Sequence, residues 1–354
     1  MVNVKKIVSD AISEYTKGNY DVALVKYKQT LKHASYNDLG IIYYNIGLCH
    51  FSMFNYKAAE VSFEKSFDVY GYLHSGYELC MSKLFNGKLV DGMKLYKYRY
   101  YGIRNTFPNL PIQKVDTIEQ CKGKRVLVLN EEGFGDEIMF SRAIPNLSNS
   151  ALSVSYQVYD KMLSLFENTN NGLYSNVSFF TNRSLSLEFV MDFDCWITTG
   201  DLFSDHLINN GMSHIPFKTN NTLDQFLDIG VTWSANNLSA SAKMRSLNIN
   251  DFKEALQGEN TTITSLQFGE KEEWMESRDI SDFNKTFDVI SKLDLVVSVD
   301  TVTAHLAGMM GKPTILVYDK YLDWRWVYDI YTNVTIVHIS ELKTYMSKIH
   351  KEFK

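Results

Sequence analysis

The chain has 354 residues, 45% of them apolar and 22% charged, with five prolines. Those values exclude wholesale disorder, collagen-like repeats and a disulfide-stapled miniature, and at about 150 residues per domain they predict two or three domains. The formal net charge of −5 is uneven: residues 1–105 carry 14 Lys/Arg against 9 Asp/Glu (+5), and residues 106–354 carry 22 against 32 (−10), too little basic density in either part for a nucleic-acid binder.

In residues 1–105 a pattern repeats. Gly18-Asn19-Tyr20, then Ala23 and Tyr27, recurs after 36 residues as Tyr56, Ala59 and Phe63. It returns after a further 33 as Gly87-Lys88-Leu89, Gly92 and Tyr96. Apolar residues lie at helical spacing in each copy. Ala23, Ala59, Gly92 and Gly47 supply the small side chains that closely crossing helices need. A period of about 34 resembles the tetratricopeptide repeat, a helix–turn–helix unit. The generic alternative is a helical bundle. An aromatic and basic stretch, Tyr96-Lys97-Tyr98-Arg99-Tyr100-Tyr101, follows the third copy. Residues 106–123, with Pro108 and Pro111 and weak periodicity, are expected to be a connector.

From Lys124 onward short apolar runs alternate with helical stretches. Strands are predicted at 125–129, 152–158, 176–180, 194–198, 228–233, 261–267, 294–299 and 313–318. Helices are predicted at 136–147, 160–167, 250–257, 284–292 and 302–310. Such alternation gives parallel α/β sheets. A division at Thr219-Asn220-Asn221-Thr222 yields two Rossmann-like halves, 124–225 and 226–354, with a ligand cleft at the strand C-terminal ends. No run of 18 apolar residues predicts a membrane span, and residues 1–10 have no apolar signal core. Cys49, Cys80, Cys121 and Cys195 lack the spacing of a zinc or redox pair. A reducing cytoplasm is the expected setting.

Three stretches carry chemistry. Glu131-Glu132-Gly133-Phe134-Gly135-Asp136 follows the first strand of this region. Gly133 and Gly135 permit a tight turn at a helix N-terminus, but Ile138 stands where a dinucleotide fingerprint needs a third glycine. Asp136 is placed either as a general base or as a helix cap. In Ser298-Val299-Asp300-Thr301-Val302-Thr303-Ala304-His305 a buried strand turns straight into a helix. Its first N–H groups suit a diphosphate, with Asp300 and Thr301 on sugar hydroxyls. The alternative is an N-cap with His305 a core histidine. Gly230-Val231-Thr232-Trp233 ends another strand, and Lys243 and Arg245 follow in what is expected to be a loop. A cation there balances a leaving phosphate or is simply solvated.

Together these stretches resemble the heptosyltransferase-like glycosyltransferases (family nine). Gly-Phe-Gly-Asp-Glu-Ile-Met-Phe-Ser-Arg at 133–142 is similar to their first-loop motif. Residues 298–308 with Gly311-Lys312-Pro313 are similar to their nucleotide-sugar motif. The segments Gly230-Val231-Thr232-Trp233, Arg245-Ser246 and Ser265-Leu266-Gln267 fall at matching intervals. Residues 87–99 and Asp323-Trp324-Arg325-Trp326 resemble segments of bacterial proteins that fuse tetratricopeptide repeats to this domain. The resemblance implies an α + α/β chain: tetratricopeptide-like repeats, then a GT-B pair of Rossmann-like domains. It implies inverting, metal-independent transfer from a nucleotide-diphosphate sugar to a glycan or other hydroxyl acceptor, with no cofactor. Asp136 would be the catalytic base. Gly133, Gly135, Trp233, Arg245, Glu270, Asp300, Thr301, Val302 and His305 would bind the donor, and the repeats a protein partner or acceptor. Val302 replaces a glycine of the family pattern, residues 330–333 replace a Ser-Pro-Trp-Tyr-type segment, and 234–245 has little basic content. Two alternatives follow: a non-catalytic adaptor, or a protein O-glycosyltransferase.

Overall fold

A computed structural model of the chain describes residues 3–101, 109–170, 172–182, 186–212, 227–235, 240–270 and 272–352. Two compact units emerge: residues 1–109 with 207–209, and residues 110–206 with 210–354. The expected division at 219–222, and with it the 225/226 boundary, lies outside the described residues.

The first unit contains α1 (Val4–Thr16), α2 (Tyr20–Thr30), α3 (Tyr36–Ser52), α4 (Tyr56–Glu64), α5 (Ser75–Phe85) and α6 (Leu89–Leu95). They pack as consecutive pairs, α1 with α2, α3 with α4 and α5 with α6, and each pair lies against the next. Ala11, Ala23, Tyr27, Ile42, Ile46 and Cys49 form one buried cluster, and Ala59, Phe63 and Leu79 another. The small residues singled out by the repeat sit where helices approach. A Cβ on Gly47 would fall 2.5 Å from the Phe63 ring, and one on Gly92 would fall 2.6 Å from Leu84. Gly18 and Gly87 turn the chain between paired helices in the left-handed region, at φ 86° and 79°. In the middle copy that position is Phe54, which adopts φ 59° without being glycine. Beyond α6 the guanidinium of Arg99 lies between the rings of Tyr96 and Tyr100, 4.4 and 3.9 Å from their centroids.

Two parallel sheets with flanking helices make up the second unit, an arrangement consistent with a GT-B-like fold. The first sheet holds β1 (Gln113–Lys114), β2 (Arg125–Leu129), β3 (Ser153–Gln157), β4 (Val177–Phe180) and β5 (Cys195–Thr198), in the order β1-β5-β2-β3-β4. Its helices are α7 (Phe134–Phe140), α8 (Ile144–Ser150), α9 (Leu163–Asn170), α10 (Leu187–Met191) and α11 (Thr199–Asn210). The second sheet holds β6 (Leu227–Thr232), β7 (Thr261–Ser265), β8 (Glu276–Ser277), β9 (Leu295–Ser298), β10 (Thr314–Tyr318) and β11 (Val334–His338), in the order β11-β10-β9-β6-β7-β8. With it run α12 (Ala240–Arg245), α13 (Ile249–Leu256), α14 (Phe283–Ser291), α15 (Val302–Met309) and α16 (Ile339–Glu352). Among the described residues every strand pair is parallel. The central strands are buried on both faces, which is why they read as unbroken apolar runs.

Three differences from the sequence expectations have physical causes. The stretch read as a connector includes β1, a two-residue edge strand registered on Cys195 and Trp196, too short to show a period. The stretch 240–245, expected as loop, is α12, with Arg245 in its last turn. The final strand β11 lies at a sheet edge with Thr335 and Ile336 exposed and only Val337 buried, so it lacks the buried apolar run that marked the others. No helix among the described residues is long and apolar enough to cross a membrane.

Candidate active site

Strand β2 ends at Leu129 and α7 begins at Phe134; β9 ends at Ser298 and α15 begins at Val302. Both helices thus start just beyond the C-terminal ends of central strands, where parallel α/β sheets hold ligands. The two helices pack against one another, and Gly135 sets how closely. A Cβ there would lie 2.8 Å from Cδ2 of His305. Gly133 is different: a Cβ would meet only Asp136 Oδ2, at 3.7 Å. One glycine therefore serves the crossing of α7 and His305, and the other is the N-cap residue of α7.

Asp136 lies in the first turn of α7, and no side chain caps that helix. Its carboxylate instead meets Arg325: Nε donates to Oδ1 at 2.9 Å, and Nη2 donates to the same oxygen. Oδ2 has no hydrogen-bond partner among the described residues, so one oxygen is held and the other is open. Arg325 also donates from Nη1 to Asp323 Oδ1 at 2.7 Å. Burial works to raise the Asp323 carboxyl, but the charge and hydrogen bonds of Arg325 hold it below the usual range.

Asp300 and His305 are both buried on the other side of this seam. Arg245 Nη1 approaches Asp300 Oδ2 at 3.3 Å and its carbonyl oxygen at 3.2 Å. Burial, with Asp323 nearby, pushes the Asp300 carboxyl up against the pull of Arg245 and Arg325. His305 is 3% exposed, stacks on Trp326 with centroids 4.8 Å apart, and has Nδ1 3.0 Å from the Tyr331 hydroxyl. Burial, with Arg325 nearby, depresses it to about 3, so the ring is neutral near pH 7. Its Nε2 lies 3.9 Å from Asp300 Oδ1. His305 is thus a packed histidine and also borders the polar site. Thr301 is the N-cap of α15 but its side chain does not cap it; its hydroxyl pairs with Ser298 at 3.1 Å. Val302 begins the helix, partly exposed.

Two expected donor contacts are placed elsewhere. The Trp233 indole is 5% exposed and packs with Phe252, Val231 and Val299 in the core of the second sheet. Its backbone alone lines the strand end, where Gln267 Oε1 accepts from the N–H groups of Trp233 and Ser234 at 3.3 and 3.0 Å. Glu270 is exposed beyond β7, and its carbonyl accepts from Ser265. Neither side chain is among the Asp136, Asp300, His305, Arg245 and Arg325 contacts.

Several residues of the seam were not expected there. Arg325 was visible as part of the Asp-Trp-Arg-Trp motif, yet nothing local tied it to Asp136. Arg142, in the first-loop motif, is 1% exposed: Nε donates to the Met139 carbonyl at 2.9 Å and Nη2 to the Ile330 carbonyl at 3.2 Å. Phe134 meets two rings edge-on, Tyr159 at 4.8 Å and Phe283 at 5.1 Å.

No protein-family model matches the chain. The protein FlbA of Caulobacter vibrioides is 22% identical over 274 residues, covering 65% of this chain and 45% of that protein, so the chain matches less than half of that relative's length. Among solved structures, the Escherichia coli heptosyltransferase WaaC with ADP is similar at 12% identity and a TM-score of 0.44, over 65% of this chain and all of that one. The dodecameric, iron-containing glycosyltransferase TibC of enterotoxigenic E. coli is similar at 10% identity and a TM-score of 0.43, over 56% of this chain and 59% of that one. A Thermobaculum terrenum O-GlcNAc transferase mutant spans 99% of this chain and 92% of that one, at 12% identity and a TM-score of 0.29. These solved structures are glycosyltransferases; the functional argument for the present chain rests on the residues of its seam.

Proposed function

We propose that the second unit is an inverting glycosyltransferase of GT-B type that uses a nucleotide-diphosphate sugar. The observation that carries this reading is the pairing of a carboxylate with one open oxygen, Asp136 on α7, with a cation-rich site at the uncapped start of α15. An acceptor hydroxyl attacks the anomeric carbon, the bond to the diphosphate breaks, and the hydroxyl proton passes to Asp136 Oδ2. The nucleoside diphosphate departs toward the N–H groups of Thr301, Val302 and Thr303, with Arg245 and Arg325 balancing its charge. Asp300 and His305 hold the sugar end of the donor. The chemistry so described needs no metal ion or cofactor. The paired helices of residues 1–105 act as tetratricopeptide-like repeats that present a glycan or protein acceptor in the cytoplasm.

The test is a thermal-shift series of the full chain with ADP-, GDP- and UDP-sugars, followed by product analysis. One nucleotide is expected to raise Tm, and Asp136→Asn is expected to keep that shift while losing transfer. No shift with any nucleotide, or equal transfer by the variant, overturns the reading. The adaptor alternative draws on Val302, whose side chain stands where glycine would open the approach to the α15 N-terminus. It calls for partner capture by the full chain with no sugar turnover.

A further inference from the structure

In Asp323-Trp324-Arg325-Trp326 the side chain that reaches Asp136 is itself held by its neighbours in the chain. Asp323 is the N-cap of the short 3₁₀ turn Trp324–Val327, and its Oδ1 accepts from the Arg325 backbone N–H at 3.1 Å. The same oxygen accepts from Arg325 Nη1 at 2.7 Å, so one carboxylate fixes both the backbone and the tip of that residue. Asp323 Oδ2 in turn accepts from the Tyr321 hydroxyl at 3.0 Å. The Trp324 ring is 2% exposed, and its centroid lies 4.9 Å from the guanidinium carbon.

A guanidinium is planar, carries only donors and holds them in a rigid fork. With Trp324 against it and Nη1 on Asp323, its orientation is set, and the edge formed by Nε and Nη2 meets Asp136 Oδ1. Two donors on one oxygen leave Oδ2 as the oxygen presented. Asp136 has to break both bonds before its oxygens can exchange places.

We infer that Asp323 is a positioning residue: acting through Arg325, it fixes which oxygen of Asp136 is presented to the acceptor hydroxyl. On the glycosyltransferase reading, on which this role rests, a second task arises during transfer. As the acceptor O–H bond breaks and the proton bonds to Oδ2, Asp136 becomes neutral and its hold on Arg325 weakens. Asp323 keeps its charge, since Arg325 holds its carboxyl below the usual range. The guanidinium therefore stays in place while negative charge grows on the departing diphosphate. An arginine paired to the base alone would be released at that moment.

Urea unfolding of the full chain reads the clamp without any substrate. A double-mutant cycle of Asp136→Ala and Arg325→Ala gives the coupling of that pair. Asp323→Asn removes a charge but little shape, and in its background the coupling is expected to fall by about half or more. An unchanged coupling overturns the inference. Kinetics with whichever of the ADP-, GDP- and UDP-sugars supports transfer reads the consequence. Asp323→Asn is expected to lower kcat about tenfold to a hundredfold, with KM for the donor within about twofold of wild type. A purely structural residue would lower Tm and leave kcat per folded molecule unchanged, and that result overturns the inference. If Asp323→Asn does not fold, Tyr321→Phe removes one hydrogen bond from Asp323 and is expected to move both readouts the same way by less. No movement of either in that variant overturns the inference as well. Absence of transfer by the wild type with all three donors sinks the glycosyltransferase reading and leaves the clamp to be decided by the unfolding cycle.

Discussion

Asp136 and Arg325, 189 residues apart in the chain, are joined by two hydrogen bonds onto a single carboxylate oxygen. Both side chains are about four-fifths buried, a setting in which removing one partner strands the other. Asp136→Ala and Arg325→Ala are each expected to cost about 1–3 kcal/mol in urea unfolding, with the double variant losing less than the sum. Additive losses would mean that the pair is not coupled. Asp136→Asn is expected to lower transfer by about 10²- to 10⁴-fold, the usual weight of a general base.

Gly135 tests the seam sterically. Alanine there must push α7 away from His305, because its Cβ would meet the imidazole edge at 2.8 Å. The expected cost is about 1–3 kcal/mol of stability, accompanied by loss of any nucleotide-induced shift. Gly133→Ala serves as the control, having room for a Cβ at 3.7 Å from its nearest neighbour. Equal behaviour of the two variants in thermal melts would rule out the close crossing.

Glu137, next to Asp136, is fully buried, and among the described residues neither its carboxyl oxygens nor the nearby Tyr156 hydroxyl has a partner at hydrogen-bond geometry. Burial pushes the carboxyl up from 4.5 to about 8. The folded protein therefore holds this proton more tightly than the unfolded chain. Stability supplied by the neutral acid is complete below about pH 4.5 and is lost as the pH rises to about 8. Glu137→Gln removes this dependence. Relative to wild type, the variant is expected to gain on the order of a few kcal/mol in urea unfolding between about pH 5 and pH 8. A constant difference across that range would show that Glu137 does not titrate there.

Phe54 holds the left-handed turn that glycine holds in the first and third copies of the repeat. It is 47% exposed, so its ring contributes little burial to offset the strained backbone. Phe54→Gly is expected to be neutral or stabilising by up to about 1 kcal/mol, and Phe54→Val to destabilise by more than about 1 kcal/mol. Thermal melts in which valine matches glycine would contradict the turn.

Much of this was legible before the structure, for reasons that particular residues make clear. Strands β2, β6, β9 and β10 are buried on both faces and so declare themselves as apolar runs. Gly47 and Gly92 were found by position in a repeat, and each faces a large side chain of the neighbouring helix. Gly135 stands out in the sequence as a turn glycine at a helix N-terminus; its close approach to the His305 imidazole is visible only in the fold. The resemblance implies Trp233 as a donor contact, but alternate positions along a strand face opposite sides, and the side chain of Trp233 lies on the core side. Arg325 and Tyr331 were out of reach, since each acquires its partner only when two distant segments meet. No spacing rule links position 136 to 325 or 305 to 331.

The guanidinium groups of Arg142, Arg245 and Arg325 gather at this seam, while residues 106–354 carry ten more acidic than basic side chains. Attraction for an anion is therefore local and repulsion is long-ranged. A negatively charged ligand approaches the second unit uphill and is captured only within the last few ångströms. Dissolved salt screens the distant repulsion more than the partly buried short-range contacts. The encounter rate of such a ligand with that unit should consequently rise with ionic strength, opposite to the behaviour of an electrostatically steered site.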